Sequence, residues 1–252
     1  MLKTNEEIKL KNNRKLFFLK LGEYQHMKNL YEKGELYFNT FDYFRNLEYT
    51  NDGRADNNEY CAYHYAGDGI KDVSLRLYPN GRDKEPIKFV GGKELEELTI
   101  TTGEEKEYTH LYSLSSIDLE WTLNNNFIID NSNFANNKDF VVVIFNTKEF
   151  INRTVQHLQN YKLQTKFVEY VDKKSYTGEM GPFRKFDNYA LQNEYRIAVN
   201  FKTKEPQIIH LGSLNDIAHE PQSFREFINS DCRISFELDG KIVERKITNL
   251  KL

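Results

Sequence analysis

A carboxamide and a carboxylate two residues apart, Gln192 and Glu194, stand where a polar stretch gives way to an apolar strand (EYRIAV). Strand alternation sends both side chains to one face. A carboxylate with a hydrogen-bonding helper in a cleft can steady positive charge that develops on a substrate. The spacing also supports a second reading. Glu194 and Arg196 are same-face neighbours, and their pairing would make this a solvated strand end. The residues alone leave both readings open.

Other chemistries find less support. Cys61 and His64 form a C-x-x-H fragment, but a structural zinc site takes four ligands, and the remaining histidines offer no matching pair. No Gly-rich phosphate loop is present; Gly91-Gly92-Lys93 reads as a turn. There is no G-x-S-x-G elbow, and neither cysteine sits in a nucleophile context. The basic residues 71, 76, 82, 84, 88 and 93 interleave with Tyr78 and Phe89, a pattern able to bind single-stranded nucleic acid. Acidic residues 83, 85, 94, 96 and 97 interrupt that stretch and favour a solvated face.

The elements that must position Gln192 and Glu194 follow from local pattern. Residues 16–21 (LFFLKL) predict a strand ended by Gly22. Residues 24–32 predict a helix through Met27, Leu30 and Tyr31, stopped by Gly34 in a left-handed cap. Residues 36–38 predict a second strand, Asn39-Thr40 a helix cap or turn, and 41–45 a helical turn. Residues 50–59 (TNDGRADNNE) predict a surface loop. Strands are expected over 60–65, 73–78, 87–90, 98–101, 108–114, 140–145, 167–171, 194–199 and 207–212, with helices over 147–159 and 223–228. Asp239-Gly240 between 233–238 and 241–247 predicts a hairpin. The whole reads as α+β with mixed, mostly antiparallel sheets and peripheral helices.

Two blocks carry a resemblance: residues 30–44 (LYEKGELYFNTFDYF) and 186–196 (FDNYALQNEYR). Their order resembles uncharacterised bacterial proteins of the DUF2971-like type and the ADP-ribosyltransferase fold of the Q-x-E class. The resemblance implies NAD as substrate, and the unmatched C-x-x-H fragment leaves the expectation of no metal. It implies Glu194 as the catalytic carboxylate, held to the ribose 2′-hydroxyl, and Gln192 as the residue that orients the acceptor. It implies a macromolecular acceptor other than arginine, nucleic acid included. Asn39 and Thr40 take the place of the family's Ser/Thr strand, and Phe41, Tyr43 and Phe44 supply rings for the dinucleotide. Where the family has Arg or His on its first strand, this chain has Lys20, a point charge without Arg's fork. Arg54 in the polar loop is the candidate for the missing phosphate contact. By analogy the setting is a toxin or phage-defence effector, with an antitoxin as partner. Glu194→Gln is expected to abolish transfer and leave the fold intact.

Composition bounds these readings. The chain has 252 residues, 39% hydrophobic and 14% aromatic, enough for a real core in one domain spanning 1–252, with 1–14 as a polar tail. Two distant cysteines make no disulfide framework, which fits a cytoplasmic setting. A net charge of -3 gives no general pull on nucleic acid, and no apolar run approaches the ~20 residues of a membrane span. The rival readings are a degenerate module that binds a nucleotide or partner without turnover, and a nucleic-acid binder or nuclease.

Overall fold

The computed structural model describes residues 16–46, 61–78, 85–100, 108–118, 127–129, 139–229, 233–238 and 241–249. Arg54 and the expected N-terminal tail lie outside them. The chain is α+β, with mostly antiparallel sheets and few helices among the described residues.

It begins with strand β1 (Leu16–Glu23), helix α1 (Tyr24–Lys33), strand β2 (Glu35–Thr40) and helix α2 (Phe41–Asn46). This matches the expected order, although β1 runs through Gly22 rather than ending there. Gly34 closes α1 with φ 61°, and its N–H donates to Leu30 O at 2.9 Å. A Cβ at Gly34 would stand 2.3 Å from the carbonyl oxygen of Gly212, so the close approach excludes a side chain as well.

Short strands follow: β3 (Tyr63–Tyr65), β4 (Ser74–Leu77), β5 (Ile87–Val90) and β6 (Leu98–Ile100). The long β7 (Thr109–Asp118) is an inner strand of the largest sheet among the described residues. Next come β8 (Phe127–Ile129), β9 (Asp139–Ile144) and helix α3 (Thr147–His157), which Asn146 caps by accepting from Glu149 N–H at 3.1 Å. Strands β10 (Lys162–Phe167), β11 (Glu169–Val171), β12 (Gly178–Glu179), β13 (Arg184–Phe186) and β14 (Glu194–Asn200) lead into the site. The chain continues with β15 (Gln207–His210), β16 (Gln222–Ser223), helix α4 (Phe224–Asn229), β17 (Arg233–Leu238) and β18 (Lys241–Asn249). The last two pair as the expected hairpin, in register from Arg233–Lys246 to Leu238–Lys241.

Eight strands form one sheet around β7. Strand β14 lies along one edge of β7, from Glu194–Ser115 to Asn200–Thr109. The other edge is shared. Strand β1 takes its Ser115–Asp118 end, and β2 takes Leu111 and His110. Two wings therefore part at β7: β1 carries β9 and β16, and β2 carries β15.

The main core lies on the face that carries Phe18, Tyr112, Leu114, Tyr195, Ile197 and Val199, covered by Met27 and Leu30 of α1 and Phe150 and Ile151 of α3. Phe18 is fully buried and stacks on Tyr195 at 4.8 Å between centroids. Each such side chain contributes about 1.5–3 kcal/mol by leaving water. Alternation in β14 then sends Glu194, Arg196 and Ala198 to the opposite face.

Candidate functional site

Glu194, Lys185 and Arg196 meet on that opposite face as a buried cluster. Their side chains are 11%, 4% and 2% exposed. Lys185 Nζ lies 3.1 Å from Glu194 Oε1, and Arg196 Nε donates to Glu194 Oε2 at 2.6 Å. Lys185 Nζ also donates to Gln192 Oε1 at 2.8 Å and sits 4.7 Å above the Tyr189 ring. Arg196 Nη1 donates to the carbonyl of Pro182 at 2.9 Å. The pairing of Glu194 with Arg196 that the spacing allowed is present, but it is buried rather than solvated.

Three local devices build this cluster. The first is Asn193, in the left-handed region at φ 42°, between a 3₁₀ turn (Asp187–Gln192) and β14. Asn tolerates that conformation better than most residues. Its carbonyl accepts the N–H and the hydroxyl of Ser116, each at 2.8 Å, and its amide donates back to Ser116 O. Gln192 is thus not a strand residue, and the Lys185 ammonium, not alternation, brings it beside Glu194.

The second device is a break at Val168. The sequence predicts one strand over 167–171. In the structure β10 ends at Phe167, Val168 N–H donates to Glu194 O at 2.9 Å, and β11 turns away. The break lets the Tyr170 hydroxyl accept the N–H of Glu194 at 2.9 Å. Third, β11 pairs in parallel with β13 and sets Tyr170 opposite Lys185. One ribbon therefore delivers a phenol to the Glu194 N–H and an ammonium to the Glu194 carboxylate.

Electrostatics follow from this geometry. Burial alone would raise the Glu194 carboxyl, but Arg196 and Lys185 outweigh it and hold the group well below the usual carboxylate range. Burial, with the Glu194 charge beside it, pushes the Tyr170 phenol up to about 12. At neutral pH Glu194 is therefore a fixed anion and Tyr170 a neutral phenol. A carboxylate offers roughly four lone-pair positions. Among the described residues Lys185 and Arg196 occupy two, which leaves acceptor capacity for a further hydroxyl.

The expected cofactor residues divide. Asn39 pairs with Leu111, which pairs with Ala198, so Asn39 shares the Glu194 face. Asn39 Oδ1 accepts from Thr40 N–H at 2.9 Å, and its buried Nδ2 has no hydrogen-bond partner among the described residues. Thr40 Oγ1 accepts from Tyr43 N–H at 3.3 Å and caps α2. Phe41 and Phe44 pack with Leu111, Ala198 and Phe183, next to the Pro182 carbonyl that holds Arg196. Tyr43 is 45% exposed and meets Phe44 edge-on. Lys20 does not join this group. Leu19 pairs with Ser115, and Ser115 with Glu194, so Lys20 points to the other face. There it donates to Ser113 O at 2.8 Å and lies 4.3 Å over the Tyr112 ring, at the point where β1 and β2 part from β7.

His64 is buried, with Nδ1 2.9 Å from Thr99 Oγ1 and Nε2 2.8 Å from Lys173 O, so both ring nitrogens are engaged by the protein. Sequence reasoning missed Lys185, Tyr170 and Tyr189. One signal was available for Lys185: a lysine between Phe183 and Phe186 (FRKF), next to the block that carries Gln192 and Glu194.

A scan against protein-family models finds no match, and searches of curated proteins and of solved structures find none either.

Proposed function

We propose that the protein is an NAD-dependent ADP-ribosyltransferase with a fold of that type, acting on a macromolecular acceptor. One observation carries this reading: a carboxylate held anionic in a buried cluster at the start of a central strand, with a carboxamide tied to the same ammonium. Breaking the bond between nicotinamide and ribose develops positive charge on the ribose. A fixed anion with lone pairs to spare stabilises that charge and accepts the 2′-hydroxyl, as carboxylates do in glycoside cleavage. Asn39 and the Phe41–Phe44 pair on the same face are the ring-side candidates for the dinucleotide. A role in toxicity or phage defence, with an antitoxin, extends this reading by analogy.

Incubation with labelled NAD and a cell extract, beside a Glu194→Gln variant checked for folding, tests it. Wild-type protein should release nicotinamide and label an acceptor, and the variant should do neither. Absence of both products from wild-type protein sinks the reading. A second reading, a binding module without turnover, is favoured by the position of Lys20 on the far face. It predicts saturable NAD binding with no nicotinamide released.

A further inference from the structure

Gln192 and Glu194 are joined through one ammonium, and that ammonium decides which way the Gln192 amide faces. An ammonium carries three donors and no acceptor. At 2.8 Å from Lys185 Nζ, the carboxamide can present only its oxygen to the lysine. The amide NH2 is then turned away from Lys185. Lys185 is itself fixed: it is 4% exposed, bonded to Glu194 Oε1, seated over the Tyr189 ring and carried on β13, whose parallel partner holds Tyr170 against the Glu194 N–H. A carboxamide normally rotates between its two faces at little cost. Here one face is chosen by chemistry.

We propose, resting on the transferase reading above, that Lys185 is a positioning residue that turns the Gln192 amide N–H2 toward the entering acceptor and so selects acceptors with a lone pair beside the reacting atom. In the reaction the bond between nicotinamide N1 and ribose C1′ breaks, and its electron pair neutralises the pyridinium. The acceptor atom forms the new bond to C1′ and loses a proton to solvent. An amide oxygen, a carboxylate or a nucleobase ring nitrogen beside that atom accepts from Gln192. A guanidinium has donors only and offers the amide N–H2 no lone pair, so it is rejected by hydrogen bonding.

The test compares wild type, Lys185→Met, Gln192→Ala and the double variant with labelled NAD. The acceptor probes are a cell extract and free agmatine as a guanidinium. The readout is the ratio of label transferred to free ADP-ribose released by water. Each single variant should lower that ratio about tenfold, the order expected for one lost hydrogen bond, and the double variant should fall no further. A merely structural Lys185 would lower both products together and leave the ratio alone. An unchanged ratio in Lys185→Met with nicotinamide still released overturns the proposal and spares the transferase reading. Additive losses in the double variant, or wild-type labelling of agmatine at the extract's rate, overturn it as well. No nicotinamide release from wild type overturns the transferase reading and this proposal with it. Should Lys185→Met not fold, Gln192→Glu carries the test. It keeps an oxygen toward Lys185 but presents oxygen where the N–H2 stood, so an unchanged ratio there also refutes the orientation argument.

Discussion

Replacing Glu194 by Gln removes one negative charge from a site where the carboxylate is 11% exposed and its two cations are 4% and 2% exposed. Gln keeps the shape, so the expectation from sequence is an intact fold. The structure predicts a cost. Removing one partner of a buried ion pair destabilises by about 3–5 kcal/mol, because the remaining charges stay out of water. That is a large part of a typical stability of about 5–15 kcal/mol. The pH dependence follows from the lowered Glu194 carboxyl. A depressed folded value means that the stabilisation is fully present above the unfolded value of about 4.3 and is lost as pH falls below it. The slope in that window is about 1.4 kcal/mol per pH unit for one group. The assay is urea denaturation of wild type and Glu194→Gln from pH 7 down to pH 3. The difference between them should be flat above about pH 5 and shrink below the ordinary glutamate range. A difference under about 1 kcal/mol at pH 7, the value of an exposed pair, would refute the account of a buried, doubly paired carboxylate. So would a difference that stays constant to pH 3.

Three further outcomes are expected. Asn193→Ala should destabilise by about 1–3 kcal/mol in denaturant melts, since it strains a left-handed residue and leaves the Ser116 carbonyl without its amide donor. Asn193→Gly should cost less, and equal losses would show that backbone strain is not part of the effect. Gly34→Ala should lower stability by at least about 1 kcal/mol, because φ is 61° and the new Cβ would stand 2.3 Å from Gly212 O; a neutral melt would contradict that close approach. Lys20→Met should weaken the fold through the Ser113 carbonyl while leaving NAD affinity, measured by calorimetry, close to wild type. A marked loss of affinity with no loss of stability would instead restore Lys20 to the phosphate site.

Much of the local architecture was legible in the sequence. Helix α1 and its Gly34 cap, the short α2 behind Asn39-Thr40, the apolar strand at β9 and the C-terminal hairpin all follow from periodicity and turn chemistry. These signals act within a few residues, so the chain states them directly. The pairing of Glu194 with Arg196 was legible too, because strand spacing alone makes them neighbours. Its burial was not, since nothing local says what covers a strand. Lys185 reaches Gln192 because β13 is held by β11, and β11 leaves the sheet at Val168 to bring Tyr170 over Glu194. Lys20 sits across the sheet from the carboxylate because the register of β1 on β7 sets Leu19 opposite Ser115 and so puts Leu19, not Lys20, on the Glu194 face. A one-residue register shift reverses every side chain, and register is settled between strands far apart in the chain. Local pattern thus determined which elements form and made Glu194 and Arg196 neighbours. Tertiary pairing decided which charges surround Glu194, which way the Gln192 amide faces and that Lys20 lies on the other face.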